Sequence, residues 1–431
     1  MTVNRILLVR LGALGDIIHA LPVAAALRRA FPAARIDWLV SARHRDILDH
    51  VPVIDRRVVL ERGSRSENRK SHDTGTEASH GERSEGRTSH DSNEDVEPAI
   101  TPSSDVGPPA FRPRASGAFT AWRGVAQAIA ELRQTDYDIA FDLQGLLKSA
   151  ILARSSGARR VVGFPVRHLR ERWAHLFYTE TAEPAPGVHV VDKNLALLAA
   201  VGLHDLPREF PLDVGAGKAG GAGLSAEAVA SSGAKADGAG AFALLNPGAG
   251  WPNKRWPPDR FGAIAKYLHA AHRLPSLVLW GPGEEGLARA VADASGGAAH
   301  LAPPTSIGGM IALARGASLF VSGDTGPLHI AAAVGTPIVG IYGPTSPGRN
   351  GPWDPADICV SRFDDCICHH RRRCRRETCC LLDIGVEEVR AALDRRLAAG
   401  NQRSANEASA PGTREKALAP GTRDQGPGTI A

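Results

Sequence analysis

The sequence predicts an α/β protein built of two doubly wound parallel-sheet halves facing a central cleft. Three observations carry this. Strand-like apolar runs alternate with helix-like stretches in residues 1–60, and the alternation resumes from 118 to 210. The same alternation starts again at 241 and continues to 397. Between them, residues 211–240 are rich in glycine, alanine and serine and read as an interdomain linker. Strands alternating with helices imply parallel sheets covered on both faces, with the ligand at the carboxyl ends of the strands.

The elements follow in order. ILLVR at 6–10 is an apolar strand, and DIIHALPVAAALRRAF at 16–31 has helical spacing. RIDWLVS at 35–41 is a second strand, HRDILDHVP a short helix, and RRVVL at 56–60 a third strand. From 61 to 117 the chain turns polar and carries a near repeat, RSENRKSHD at 65–73 returning as RSEGRTSHD at 83–91. Such a stretch buries too little apolar surface to offset its ordering entropy, which predicts a disordered insertion. AWRGVAQAIAELRQTDYD then reads as a helix, IAFDLQG as a strand, LLKSAILARSSG as a helix ending at Gly157, VVGF as a short strand, and HVVDKNLALLAAVGL as a helix ending near Gly202.

The second half opens with the strand FALLNPG. PPDRFGAIAKYLHAAH is a helix, SLVLWG a strand, and EEGLARAVADAS and SIGGMIALARGA are helices. The strand SLFVS, the stretch GDTGPLHIAAAVG and the strand PIVGIYG come next. Gly335 suits a helix C-cap, and Pro337 cannot continue the helix. VEEVRAALDRRLAA closes the ordered region, and a disordered tail is expected over 398–431, where APGTR repeats.

With 431 residues, 43% of them hydrophobic, the chain can bury two cores. The net charge of +5 favours an anionic partner without naming it. No apolar run approaches the ~20 residues of a membrane span. The first residues, MTVNRILLVRLG, lack the long apolar region and cleavage site of a signal peptide, which predicts a cytoplasmic protein. All six cysteines lie between Cys359 and Cys380, an odd arrangement for a secreted disulfide framework.

The stretch with the most chemistry in it is SLFVSGDTGPLHIAAAVGTPIVGIYGPTSP at 318–347. A strand feeds a Gly-Asp-Thr-Gly turn, and Pro327 sits where a helix starts. The N–H groups of Thr325 and Gly326 would point at a bound anion, as in a diphosphate cradle. Asp324 cannot favour a phosphate itself and reads as an acceptor for sugar hydroxyls. The same residues also suit a plain N-cap and tight turn. In NPGAGWPNKRWPPDRF at 246–261, Lys254 is a candidate counter-charge for a leaving phosphate, or a solvated surface charge. In LWGPGEEGLAR at 279–289, Glu284 and Glu285 could offer a carboxylate to a ribose, or simply stabilise a helix dipole. In LGALGDIIHALP, Asp16 lies at a loop–helix junction, a common place for a capping aspartate.

Taken together, LGALGDIIHALP, FDLQGLLKSA at 141–150, NKRWPPDRF, LWGPGEE and SGDTGPLHIAAAVGTPIVGIYGPTSP resemble glycosyltransferase family 9, the lipopolysaccharide heptosyltransferases. The resemblance covers about residues 5–60, 120–205 and 242–395. It implies a GT-B fold with two Rossmann-like domains, the acceptor held by the N-terminal one and an ADP-sugar donor by the C-terminal one. It implies an inverting transfer of heptose from ADP-heptose to a Kdo or heptose of the lipopolysaccharide inner core. Asp16 is then similar to the family's catalytic base, and Lys254 to its phosphate-contacting lysine. Asp324, Thr325 and Gly326, with Glu284 and Trp280, fall on the donor side. His329 either approaches the phosphates or packs within its helix. Asp142, Gln144 and Lys148 are placed on the acceptor side. No metal cofactor is implied.

Two alternatives stay open at this point. One is a family 9 transferase using another sugar or a protein acceptor. The other is a non-catalytic module that binds nucleotide sugar. A dehydrogenase is disfavoured, because LGALGD lacks the third glycine of the dinucleotide fingerprint.

DDCICHHRRRCRRETCC at 364–380 stands apart. Cys366, Cys368, Cys374 and Cys379 are candidate metal ligands, although their spacing matches no standard zinc pattern, and reduced thiols or a local disulfide are the other reading. Arg371, Arg372, Arg373, Arg375 and Arg376, with Arg167, Arg170 and Arg172, could form a basic face against an anionic inner membrane, or a solvated arginine run. No nucleic-acid recognition motif accompanies these charges.

Overall fold

In the computed structural model the described residues are 3–61, 116–213, 241–374, 376 and 378–409. Residues 62–115 of the expected insertion, most of the linker, Arg375, Glu377 and the end of the tail lie outside them, and a helix already begins at Ser116, just inside the expected end of the insertion at 117. The chain divides into two units, residues 1–60 with 128–431 and residues 61–127. Both sheets lie in the first unit.

The first half contains β1 (Arg5–Val9), α1 (Leu14–Ile18), α2 (Leu21–Ala30), β2 (Arg35–Ser41), β3 (Arg56–Leu60), α3 (Ser116–Leu132), β4 (Ile139–Asp142), α4 (Leu147–Ser155), β5 (Arg160–Gly163), β6 (Glu180–Thr181) and α5 (Val190–Leu195). Its sheet runs β3-β2-β1-β4-β5-β6, with every pair parallel. The second half contains β7 (Ala243–Asn246), α6 (Pro258–His272), β8 (Ser276–Val278), α7 (Glu285–Ala294), β9 (Ala299–Leu301), α8 (Ile307–Gly316), β10 (Leu319–Gly323), α9 (Gly326–Ala333), β11 (Ile338–Tyr342), α10 (Pro347–Asn350), β12 (Ile358–Ser361) and α11 (Val386–Ser409). Its sheet runs β12-β11-β10-β7-β8-β9, again all parallel. Each half therefore repeats one doubly wound order. The strand order reverses between β1 and β4 in the first half and between β7 and β10 in the second, and such switch points are where ligands sit.

β1, β4, β7, β10 and β11 are buried nearly throughout, as central parallel strands covered on both faces must be. One buried apolar cluster runs from Ile6, Leu8 and Ile17 through Phe141 to Phe320, Leu328 and Ile330. A second, including Leu245, Trp256, Phe261 and Val321, fills the other side of the second sheet.

The departures from the expected elements are local. IAFDLQG is extended only to Asp142, because the next residues turn around the Asp142 carboxylate. The short helix expected over HRDILDHVP is a 3₁₀ helix, Ala42–His50, and two further 3₁₀ turns lie at Val166–His168 and Arg172–Phe177. β6, β9 and β12 are additional strands of two to four residues, too short to show a periodicity. The last helix continues through Ser409, past the expected tail boundary at 397. Gly335 follows α9 at φ +79, the left-handed position that ends a helix.

Candidate active site

The site is built from the carboxyl ends of the switch-point strands. β1 ends in the loop that leads into α1, and Asp16 lies in the first turn of that helix. Its carboxylate accepts from the Ala13 N–H at 3.2 Å and pairs with Arg10 Nη2 at 3.0 Å. Arg10 is buried, and its guanidinium also donates to the Leu143 carbonyl after β4. Asp16 thus caps its helix and is held in place by a cation from the strand end. It remains partly open to solvent on the wall of a cavity of about 650 Å³.

The opposite wall comes from the second half. β10 ends at Gly323, and α9 begins just beyond with Thr325 as its N-cap. The first turn of a helix leaves its N–H groups without intrahelical acceptors. Thr325 is fixed from β7, since Asn246 Nδ2 donates to Thr325 Oγ1 at 3.0 Å and to Ser322 Oγ at 2.9 Å. Lys254 enters from the loop after β7, and its Nζ stands 4.6 Å from the Trp251 ring centroid. Asp324 collects the donors around it: Lys254 Nζ at 2.5 Å, Asn350 Nδ2 at 2.8 Å and His329 Nε2 at 3.1 Å. Burial alone would raise its pKa, but the His329 and Lys254 contacts outweigh burial and hold the carboxyl well below the usual range. The lysine and the N-terminus of α9 together make an anion-seeking wall.

Two glycines explain how the halves come together here. A Cβ on Gly15 would run into the His329 ring, and one on Gly326 would lie 2.9 Å from Leu14 Cδ2. α1 and α9 can therefore pack only without those side chains. His19, from the end of α1, sits against His329 with ring centroids 4.3 Å apart and against His189 at 5.7 Å. His19 is held well below its ordinary pKa by burial first, then by the neighbouring His329 and His189.

Asp16, Lys254, Asp324, Thr325, Gly326 and His329 all line this one cavity. The lining also includes His19, Arg170, Trp251, Thr345, Arg349, Asn350 and His370, none of which that reading assigned to the site. Buried atoms of His19, His329, Thr345 and Asn350 have no hydrogen-bond partner among the described residues. Orphaned polar atoms around one cavity are what a polar ligand would satisfy. The sequence carried one usable signal for Arg10 and His19: polar residues within otherwise apolar runs.

Other expected site residues lie elsewhere. Asp142 is fully buried; it accepts from Ser149 Oγ, Tyr178 OH and the N–H groups of Gln144 and Gly145, so it bolts β4 to α4 and does not face an acceptor. Gln144 Oε1 accepts the Leu11 N–H and braces the loop after β1. Lys148 is exposed on α4 and is not part of the cavity wall. Trp280 donates to the Ala302 carbonyl. Glu284 accepts the Gly281 N–H and faces Arg255 at 3.6 Å. Neither lines the cavity.

Cys366, Cys368 and Cys380 form a buried cluster with Cys374 and Cys379 against it. Among the described residues no group of three or more His, Cys, Asp or Glu is arranged to hold a metal ion. The thiols engage one another and the backbone instead: Cys368 Sγ lies 3.4 Å from Cys374 Sγ, and Cys379 Sγ 3.5 Å from the Asn253 carbonyl. Asn253 Nδ2 in turn donates to the Arg371 carbonyl, which ties this loop to the one carrying Lys254. The expected basic face is partly neutralised, because Arg167 pairs with Glu183 and Arg376 with Asp383.

Two doubly wound sheets share one cavity, with a carboxylate on one wall and a lysine beside a helix N-terminus on the other. This defines a GT-B glycosyltransferase. Residues 125–380 match the model of glycosyltransferase family 9 (heptosyltransferase), and the chain belongs to that family. It is 28% identical over 378 residues to lipopolysaccharide heptosyltransferase 1 of Pseudomonas aeruginosa, with 87% of each chain covered. It is 25% identical over 366 residues to lipopolysaccharide heptosyltransferase 1 of Escherichia coli K12, covering 80% of this chain and 90% of that one. Among solved structures, the family 9 glycosyl transferase of Veillonella parvula matches with a TM-score of 0.65 at 20% identity, covering 93% of this chain and 99% of that one. E. coli heptosyltransferase WaaC with ADP matches with a TM-score of 0.62 at 19% identity, covering 91% and 99%. At these identities the structural likeness bears on the fold. Among the described residues no helix is long and apolar enough to cross a membrane.

Proposed function

We propose that this enzyme transfers heptose from ADP-heptose to a Kdo or heptose residue of the lipopolysaccharide inner core, with inversion at the anomeric carbon. One observation carries the reading: a single cavity holds Asp16 on one wall and Lys254 with the N-terminus of α9 on the other. The names of the similar heptosyltransferases supply the sugar and the acceptor class.

Chemically, the acceptor hydroxyl oxygen attacks the anomeric carbon while its proton passes to the Asp16 carboxylate. The bond from that carbon to the diphosphate oxygen breaks, and ADP leaves with the electron pair. Lys254 and the N–H groups of Thr325 and Gly326 meet the charge that develops on the diphosphate. Asp324 acts through its neighbours: it orients Lys254, His329 and Asn350 and, being spent on them, is less available to a sugar hydroxyl than its sequence context suggested. The residues present thus supply base and leaving-group stabilisation without calling on a metal. The acceptor being lipid-linked, the enzyme would work at the cytoplasmic face of the inner membrane.

The test is transfer from ADP-heptose to heptose-free truncated lipopolysaccharide, with wild type beside Asp16→Ala. Transfer by wild type alone supports the reading. Turnover only with another nucleotide sugar would defeat the heptose assignment. Nucleotide-sugar binding with no transfer to any of a broad acceptor panel would favour a binding module.

A further inference from the structure

We infer that the outer surface of α4 and the 3₁₀ turn Arg172–Phe177 is a docking surface for an anionic lipid bilayer. The inference deepens the proposed function and rests on its lipid-linked acceptor. Trp173 is 70% exposed and Leu176 62% exposed. Three residues apart on a 3₁₀ turn, they project from the same side, while Ala174 faces the core. The turn packs on α4, and the Glu171 carboxylate accepts the Leu147 N–H at 2.7 Å where the two elements meet. On α4, Lys148, Ile151 and Arg154 are exposed along one flank, and Ala150, Leu152 and Ala153 are buried. Large apolar side chains that the fold leaves partly or mostly exposed are thereby presented from neighbouring elements.

The charges around them point to one occupant. Lys148, Arg154, Arg170 and Arg172 are all exposed, and the one acid between Arg170 and Arg172, Glu171, is engaged by the backbone of α4. Arg170 and Arg172 have no ion-pair partner among the described residues. A tryptophan and a leucine rimmed by cations match a bilayer surface: the ring and the aliphatic side chain enter the headgroup boundary, and the cations meet anionic lipids. The placement fits the chemistry as well. Arg170 also lines the cavity that holds Asp16, so a bilayer seated on this surface brings a membrane-anchored acceptor to the mouth of the site.

The test is co-sedimentation of the full chain with vesicles of phosphatidylcholine, with and without phosphatidylglycerol. Wild type is expected to bind the anionic vesicles, less as salt is raised, and to bind the neutral ones weakly. Trp173→Glu with Leu176→Glu should weaken anionic-vesicle binding about tenfold or more. Transfer to a water-soluble acceptor oligosaccharide should stay at the wild-type rate, which also reports correct folding. If the double variant misfolds, Trp173→Ser alone serves, with the same direction expected. Unchanged vesicle binding by the variants, or no binding by wild type, overturns the inference. So does light scattering that shows a wild-type dimer dissociated by the same substitutions, because the surface is then a contact between copies. Vesicle binding without any heptose transfer would instead sink the proposed function and leave the docking surface standing.

Discussion

Lys254 Nζ lies 2.5 Å from the Asp324 carboxylate, and both side chains are nearly sealed from solvent, 14% and 5% exposed. The pair joins the loop after β7 to the turn after β10, across the switch point of the second sheet. A diphosphate arriving at the N-terminus of α9 finds a lysine already aimed by a buried counter-ion. Lys254→Ala should raise the KM for the donor and lower kcat by about 10²–10³-fold, the usual loss when one stabiliser of developing charge is removed. Kinetics close to wild type would return Lys254 to a structural role.

Asp324 also sets an acid limit on stability. Its carboxyl is held below the unfolded value of about 4, so the unfolded chain takes up a proton first as pH falls. The contribution of Asp324 is therefore complete above pH ~4 and is lost progressively below it. Thermal unfolding followed against pH should show this limb in wild type, and Asp324→Asn should flatten it while lowering the melting temperature at neutral pH.

The histidine group places a second limb at higher pH. His19 is buried with its pKa depressed, and His189 is depressed too, chiefly by burial. The unfolded chain protonates these rings near pH ~6.5, while the folded one keeps them neutral, so stability falls as pH drops below that value. His19→Gln should reduce the slope between pH ~6.5 and ~5. An unaltered slope would show that His19 is relieved by a local opening rather than by global unfolding.

Asp16 sits at both a helix start and the cavity wall, and Asp16→Asn tests the second role. Asp16→Asn keeps an oxygen to accept the Ala13 N–H but gives up the charge opposite buried Arg10, so it should cost about 1–3 kcal/mol of stability and leave the fold intact. Its kcat should nevertheless fall by about 10²–10⁴-fold, with ADP affinity nearly intact by calorimetry. A variant that keeps most of the rate would show that the carboxylate serves the helix alone.

Gly15 tests the seam between the halves. A methyl group there meets the His329 ring, so Gly15→Ala should cost about 1–3 kcal/mol or shift His329 away from Asp324. Denaturant unfolding measures the first, and the donor KM the second.

Much of this was open to a reader of the sequence because its causes are local. Continuous apolar runs mark β1, β4, β7, β10 and β11, since a central parallel strand is buried on both faces. Thr325, Gly326 and Pro327 announce a helix N-terminus through their own backbone preferences. Asp16 and Lys254 could be picked out by their place in recognisable motifs. Tertiary structure decided which of those residues meet, because strand order is a matter of long-range pairing that no local pattern encodes. It took Asp142 into the interior, where four donors converge on it, and left Lys148 on the outside. It turned Asp324 from a free acceptor into the counter-ion of Lys254, seventy residues away. It set Trp173 and Leu176 against solvent beside α4, although their composition alone would have suited a core. Burial depends on what the rest of the chain packs against a residue, and that is settled only when both sheets are in place.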